Sequence, residues 1–262
     1  MRFDVITLFP ELFAPFLEAG INRRAFSSGL VELKLWNPRD FAEGNYRRVD
    51  DRPFGGGPGM VMMAEPLLRC LQAIRSDREP DHDEAADSTS VPVVLFSPIG
   101  EVLRHDAVER WSQSAGAILV CGRYEGIDQR FIDSHVDMQI SLGDFVLSGG
   151  EIAAIALLDA VARLQPGVLN DEGSHQFDSF NPALDGMLDC PHYTRPEVWN
   201  DQAVPAALLS GHHAQIERWR RDRRIEITAR HRPDLIDAAR AAGHLGKADE
   251  AALASVKTLA AP

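Results

Sequence analysis

Residues 141–151 read Ser-Leu-Gly-Asp-Phe-Val-Leu-Ser-Gly-Gly-Glu and run straight into the apolar stretch EIAAIALLDAVARL at 151–164. A short apolar strand, a glycine-bearing turn and a helix apolar almost all round are the parts of an α/β domain built on a buried parallel sheet. Two earlier apolar runs end in the same way. The first, 92–97, delivers Phe96-Ser97-Pro98-Ile99-Gly100. The second, 117–121, delivers Cys121-Gly122-Arg123-Tyr124-Glu125-Gly126-Ile127-Asp128. With 2–8, 30–36 and about 136–141, these runs give five candidate strands, separated by helical stretches near 10–26, 64–75 and 104–114.

Ligands of open α/β sheets sit beyond the carboxyl ends of the strands, and glycine lets a backbone approach a ligand closely. Three such loops side by side describe a small-molecule pocket lined by backbone N–H and C=O groups, against the alternative of three unrelated tight turns. The pattern names no ligand. Gly55-Gly56-Gly57-Pro58-Gly59 lacks the Lys-Ser/Thr of a phosphate-binding loop, which argues against a nucleotide hydrolase, and no G-x-G-x-x-G follows the first strand.

The bulk properties bound the class. With 262 residues and 45% hydrophobic content, the chain suits one large domain or two modest ones, and is not disordered overall. No apolar run approaches the ~18 residues of a membrane helix, and the first residues read as a buried strand rather than a signal. Cys70, Cys121 and Cys190 are few and far apart, giving neither a disulfide framework nor a zinc spacing. The expectation is a cytoplasmic protein with no membrane partner. The net charge of −12 argues against a nucleic-acid partner, but the charge is uneven. Residues 77–87 hold six acids and one Arg, reading as a solvated insertion, whereas 216–232 hold seven Arg against three acids.

Residues 166–203 are rich in Gly, Pro, Asn, Asp and Ser without a period, and from 204 the pattern is helical at 205–209, 211–229, 233–242 and 247–260. The expected organisation is a ligand-binding domain over 1–165, a long functional linker over 166–203 and a small helical domain over 204–262. Trp219 is expected in the core of that last domain.

Six blocks carry a resemblance: ITLFPELF (6–13), VDDRPFGGGPGMVM (49–62), LVCGRYEGID (119–128), SLGDFVLSGGE (141–151), DCPHYTRPEV (189–198) and LLSGHHAQIERWR (208–220). In this order and over most of the chain, they resemble the bacterial tRNA (guanine-N1)-methyltransferase family. The resemblance implies a SPOUT-class α/β fold, a parallel sheet with a deep C-terminal trefoil knot, followed by the helical domain. Topological base rates alone argue against a knot. It also implies a homodimer with composite active sites, S-adenosyl-L-methionine as methyl donor, and a tRNA anticodon stem-loop as substrate. The target would be N1 of the guanosine immediately 3′ of the anticodon, a modification that supports reading-frame maintenance. The family's Mg2+ dependence comes with no ligand set that can be read here.

By motif match, the resemblance places Phe96, Ser97 and Pro98 of the first loop around the donor. Gly122, Tyr124, Glu125 and Gly126 come from the second loop. The third contributes Leu142, Gly143, Asp144, Phe145, Val146, Leu147, Gly149 and Gly150. Much of this recognition should run through backbone atoms. Guanine N1 carries a proton, so methylation needs a general base there and a positive partner for charge building on O6. The resemblance puts the base at Asp178 and the guanidinium at Arg163; Glu125 and Arg123, in the second loop, are further candidates to position the donor's methionine end or the guanine, and Ser174 and Ser179 flank the base. Each main candidate has a plainer reading: Asp178 as a turn former, and Arg163 as the i,i+4 partner of Asp159. Cys190 offers a nucleophile, although attack at N1 needs no covalent step. Arg218, Arg220, Arg221 and Arg223 are the candidate RNA contacts, to which Arg47, Arg48 and Arg52 add positive charge. A non-catalytic RNA binder on the same fold is the competing class, and donor binding separates the two.

Overall fold

The computed structural model describes residues 1–78, 91–169 and 175–259. Most of the acidic stretch at 77–90, and Ser174, therefore lie outside the described residues. The chain divides into two compact units, Met1–Leu169 and Asn170–Pro262.

The first unit runs β1 (Arg2–Ile6), α1 (Ala14–Glu18), α2 (Gly20–Ser27), β2 (Glu32–Trp36), β3 (Asp50–Asp51), β4 (Val61–Met62), α3 (Ala64–Arg78), β5 (Val93–Val102), α4 (His105–Ser112), β6 (Gly116–Val120), α5 (Gln129–His135), β7 (Met138–Ser141) and α6 (Glu151–Ala162). Five strands form a parallel sheet in the order β2-β1-β6-β5-β7, and β3–β4 is a separate antiparallel hairpin. Parallel strands joined by helices are covered on both faces, so alternate side chains enter opposite cores. Phe3, Val5, Val94, Leu119 and Cys121 pack with α4 and α6 on one face. Ile6, Val93, Leu95, Ile118 and Val120 pack with α3 and α5 on the other. Asp4, fully buried on β1, is held by Arg78 at 2.6 Å, Arg2 at 2.8 Å and the Trp36 indole at 2.8 Å. A buried carboxylate requires such partners.

Three local readings change. The helical stretch expected at 10–26 is a 3-10 turn at Pro10–Leu12 followed by α1 and α2. It breaks where Ala19 is extended and Gly20 takes a φ of +59°, a conformation glycine reaches without strain. β5 overruns its expected end: Phe96 and Glu101 both pair with Ile140, so residues 97–100 stand out of the sheet as a loop. Gly100 closes that loop directly on β7, where a Cβ would lie 2.5 Å from the Ile140 nitrogen. The third change is α5, which was not anticipated; Asp128 caps it by accepting a hydrogen bond from the Arg130 N–H at 3.0 Å.

The second unit contains a 3-10 turn at Pro182–Leu184, the hairpin β8 (Val198–Trp199)–β9 (Gln202–Ala203), and helices α7 (Ala206–Leu209), α8 (His213–His231), α9 (Pro233–Ala241) and α10 (Lys247–Leu259). Asn200 and Asp201 both have positive φ, as a two-residue hairpin turn demands. The core joins Met187 to Ile225, Ile236, Ala239 and Leu253. Part of the stretch read as linker is thus packed against the helices. Trp219 is only half-buried, lying edge-on to Tyr193 at 6.0 Å. The buried face of α8 is Arg224, Ile225 and Thr228 instead. Among the described residues no helix is long and apolar enough to cross a membrane.

Candidate functional site

The carboxyl ends of β5, β6 and β7 open onto a cavity of about 260 Å³. Fourteen of the fifteen residues proposed for a donor line it: Phe96, Ser97 and Pro98 beyond β5; Gly122, Tyr124, Glu125 and Gly126 beyond β6; Leu142, Gly143, Phe145, Val146, Leu147, Gly149 and Gly150 beyond β7. Asp144 is exposed and does not line it. Ile127, Ile132 and Ile140 supply apolar wall that sequence reasoning did not select.

The loops are joined to one another. The Gly150 N–H donates to the Gly122 carbonyl at 3.1 Å, and Arg123 Nη1 donates to the Ser148 carbonyl at 3.2 Å. Beneath them, Arg123 Nε lies 3.0 Å from Glu151 Oε2. Glu151 Oε1 accepts from the Thr7 hydroxyl at 2.9 Å, and the Arg123 guanidinium sits 4.4 Å over the Phe9 ring. Glu151 is 1% exposed. Arg123, considered from sequence as a contact to donor or guanine, therefore ties three strand ends together. Sequence reasoning missed Thr7 and Glu151. The available signal was a carboxylate opening a helix apolar on every side, since a buried charge needs a partner. Two glycines permit this packing. A Cβ at Gly149 would strike Arg123 and Glu151, and one at Gly150 would lie 2.7 Å from the Cys121 Cα.

Glu125 is exposed at the cavity, its N–H held by the Met60 carbonyl at 2.9 Å. A Cβ at Gly59 would collide with the Glu125 carboxylate, so the glycine-rich loop ends against this residue. Tyr124 has a positive φ, and its hydroxyl accepts from Arg39 at 3.4 Å. Burial, and then the nearby Asp50, raise its phenol pKa.

Arg163 caps the carboxyl end of α6, half-buried, and does not line the cavity. Asp159, its alternative partner, accepts from the Asn22 amide at 2.6 Å. Asp178 belongs to the second unit and is partly buried in a turn, where its carbonyl accepts from the Asn181 N–H at 3.2 Å. The Ser179 hydroxyl accepts from the Asp189 N–H at 2.9 Å. Cys190 is buried, and burial, then Asp189, push its thiol pKa up. His192 pairs with Asp189 at 2.9 Å. These partners suit a structural role for the Cys190 segment.

The four arginines chosen for RNA all make ion pairs within the second unit. Arg218 meets Asp222 and Asp249, Arg220 meets Glu217, and Arg223 meets Glu226. Arg221 is the most constrained, binding Asp249 and Asp185 at 2.9 Å each and the His244 carbonyl at 2.9 Å. Burial of Asp249 opposes its ionisation, but hydrogen bonds from Arg221, the Gly246 N–H and Arg218 outweigh it and hold the carboxyl at about 2. Among the described residues no group of three or more His, Cys, Asp or Glu gathers as a metal-ligand set.

Comparison with known proteins adds a family. Residues 1–238 match the family model described as tRNA (Guanine-1)-methyltransferase TrmD. The chain is 73% identical to the tRNA (guanine-N(1)-)-methyltransferase of Paracidovorax citrulli, over 99% of this chain and all of that protein. It is 73% identical to the protein of the same description in Polaromonas sp., over 98% of this chain and 97% of that one. The Bordetella pertussis protein so described is 55% identical over 98% of each chain.

Proposed function

Because this chain belongs to the tRNA (guanine-N1)-methyltransferase family, we propose that it methylates N1 of the guanosine immediately 3′ of the tRNA anticodon, with S-adenosylmethionine bound in the cavity beyond β5, β6 and β7. The carrying observation is the convergence on one cavity of the residues that the motifs assign to the donor. The lining fits such a ligand, with peptide groups from glycine loops for its polar ends and Ile127, Ile140 and Leu142 for an apolar ring. The reading includes the knotted SPOUT fold and a homodimer acting in the cytoplasm.

When bound, S-adenosylmethionine supplies a methyl group on a sulfonium. The remaining tasks belong to the chain. Asp178 of the partner subunit takes the proton from guanine N1, since the protonated nitrogen is a poor nucleophile. Arg163 stabilises the charge that develops on O6. The Arg123–Glu151 pair keeps the second and third loops in register, and Glu125 orients the guanine at the mouth. The family resemblance also implies Mg2+. No ligand set for it is gathered among the described residues.

The test is Asp178→Ala. It should retain donor affinity by calorimetry and lose turnover by ~10²–10⁴, the contribution of a positioned base. Near-normal turnover overturns the base assignment. Failure of the native chain to bind S-adenosylmethionine, or to modify any guanine in tRNA, overturns the whole reading.

A further inference from the structure

Residues 43–60 form an arm that neither the cavity nor the proposed chemistry uses. Its base is fixed: Met63 N–H donates to the Val49 carbonyl at 2.8 Å, Met62 N–H to the Gly126 carbonyl at 2.8 Å, and Asp128 N–H to the Met62 carbonyl at 2.9 Å. Val49 and Met62 are buried. The β3–β4 hairpin is thereby held to the second cavity loop, and Gly59 abuts Glu125. Beyond this base the arm shows two aromatic rings to water. Phe54 is 100% exposed and Tyr46 89% exposed. One exposed apolar side chain is ordinary on a protein surface, but two exposed rings on one anchored arm beside arginines are the composition that receives flat, negatively charged ligands.

The charges around the rings identify the partner. Arg47, Arg48 and Arg52 lie between Tyr46 and Phe54 along the chain, with Asp50 and Asp51 among them. Among the described residues Arg47 and Arg48 make exposed ion pairs, to Asp40 and Asp51. Arg52 has no ion-pair partner among the described residues. Aromatic faces interleaved with guanidinium groups are how proteins hold unpaired RNA bases, by stacking each base and neutralising its phosphate. We propose that the arm at 43–60 is an RNA-stacking platform, in which Phe54 and Tyr46 receive unstacked bases of the anticodon loop and Arg52 meets the intervening phosphate. The proposal rests on the tRNA methyltransferase reading and deepens it. Loop bases beside the target guanosine would be gripped by the wall that carries Glu125.

The experiment measures tRNA and S-adenosylmethionine affinities separately on the full chain. Phe54→Ala should weaken tRNA binding about tenfold, the scale of one lost base stack, and leave donor affinity by calorimetry as in the native protein. Phe54→Trp should restore tRNA binding and Phe54→Leu should not, because a flat ring stacks and a branched chain does not. Arg52→Gln should lower the slope of log affinity against log salt by about one. Unchanged tRNA binding in Phe54→Ala overturns the platform, as does rescue by Leu. A change in sedimentation of Phe54→Ala also overturns it, by making this surface a contact between copies of the chain. Failure of the functional reading is seen independently, as a native protein that methylates no tRNA.

Discussion

At Gly150 a side chain has no space to occupy, since its Cβ would press on the Cys121 backbone at 2.7 Å just where the second and third loops exchange a hydrogen bond. Leu147 differs: its side chain is 38% exposed at the rim. The cavity is therefore defined more by where its peptides lie than by which side chains surround them. Gly150→Ala should lower S-adenosylmethionine affinity by at least about tenfold, because backbone must move to admit it, whereas Leu147→Ala should change it by less than about threefold. Calorimetric titration checks both. Equal losses would place recognition in the side chains. Cys121 lies directly beneath and is fully buried; burial raises its thiol pKa well above the ordinary value, which makes it packing rather than chemistry.

Among the elements, α8 and α10 are clamped by one carboxylate. Asp249 sits near the start of α10 and binds Arg221 and Arg218 of α8. Its folded pKa of about 2 lies below the ordinary 3.8. The clamp therefore stabilises the fold fully above the higher value and is lost as pH falls towards the lower one. Asp249→Asn should cost about 2 kcal/mol at neutral pH, measured by urea unfolding, and the gap to the native protein should close between pH about 4 and about 2. A constant gap across that window would refute the clamp. The same helices show where sequence reading stops. Arg221 looks like an RNA contact from its arginine-rich neighbourhood, yet the acids that claim it lie 28 and 36 positions away. Strands β5 and β6 were legible because Val93-Val94-Leu95 and Ile118-Leu119-Val120 are apolar runs followed by turn residues, which is local information. The three cavity loops were legible for the same reason. Thr7 and Glu151 were not, since nothing near either residue marks a partner 144 positions distant. α5 was overlooked because QRFIDSH is short and its only buried residue is Phe131.

For the molecule as a whole, the proposal that Asp178 of the partner subunit completes each cavity makes two defective chains complementary. At donor concentrations below their weakened affinity, Gly150→Ala chains leave the pocket empty, and Asp178→Ala chains lack the base. Co-expressed, half of the dimers pair one of each, and one of their two sites is intact, so activity should return to about a quarter of native. Continued inactivity of the mixture would mean that every site is built from a single chain. The Thr7–Glu151 contact has one more implication. It unites the end of the first strand with the start of the last helix of the sheet domain, so a partly synthesised polypeptide has no finished cleft to offer. Such remote pairings form late in folding. Capture of the methyl donor by a nascent or refolding chain would then mark the moment at which this domain closes.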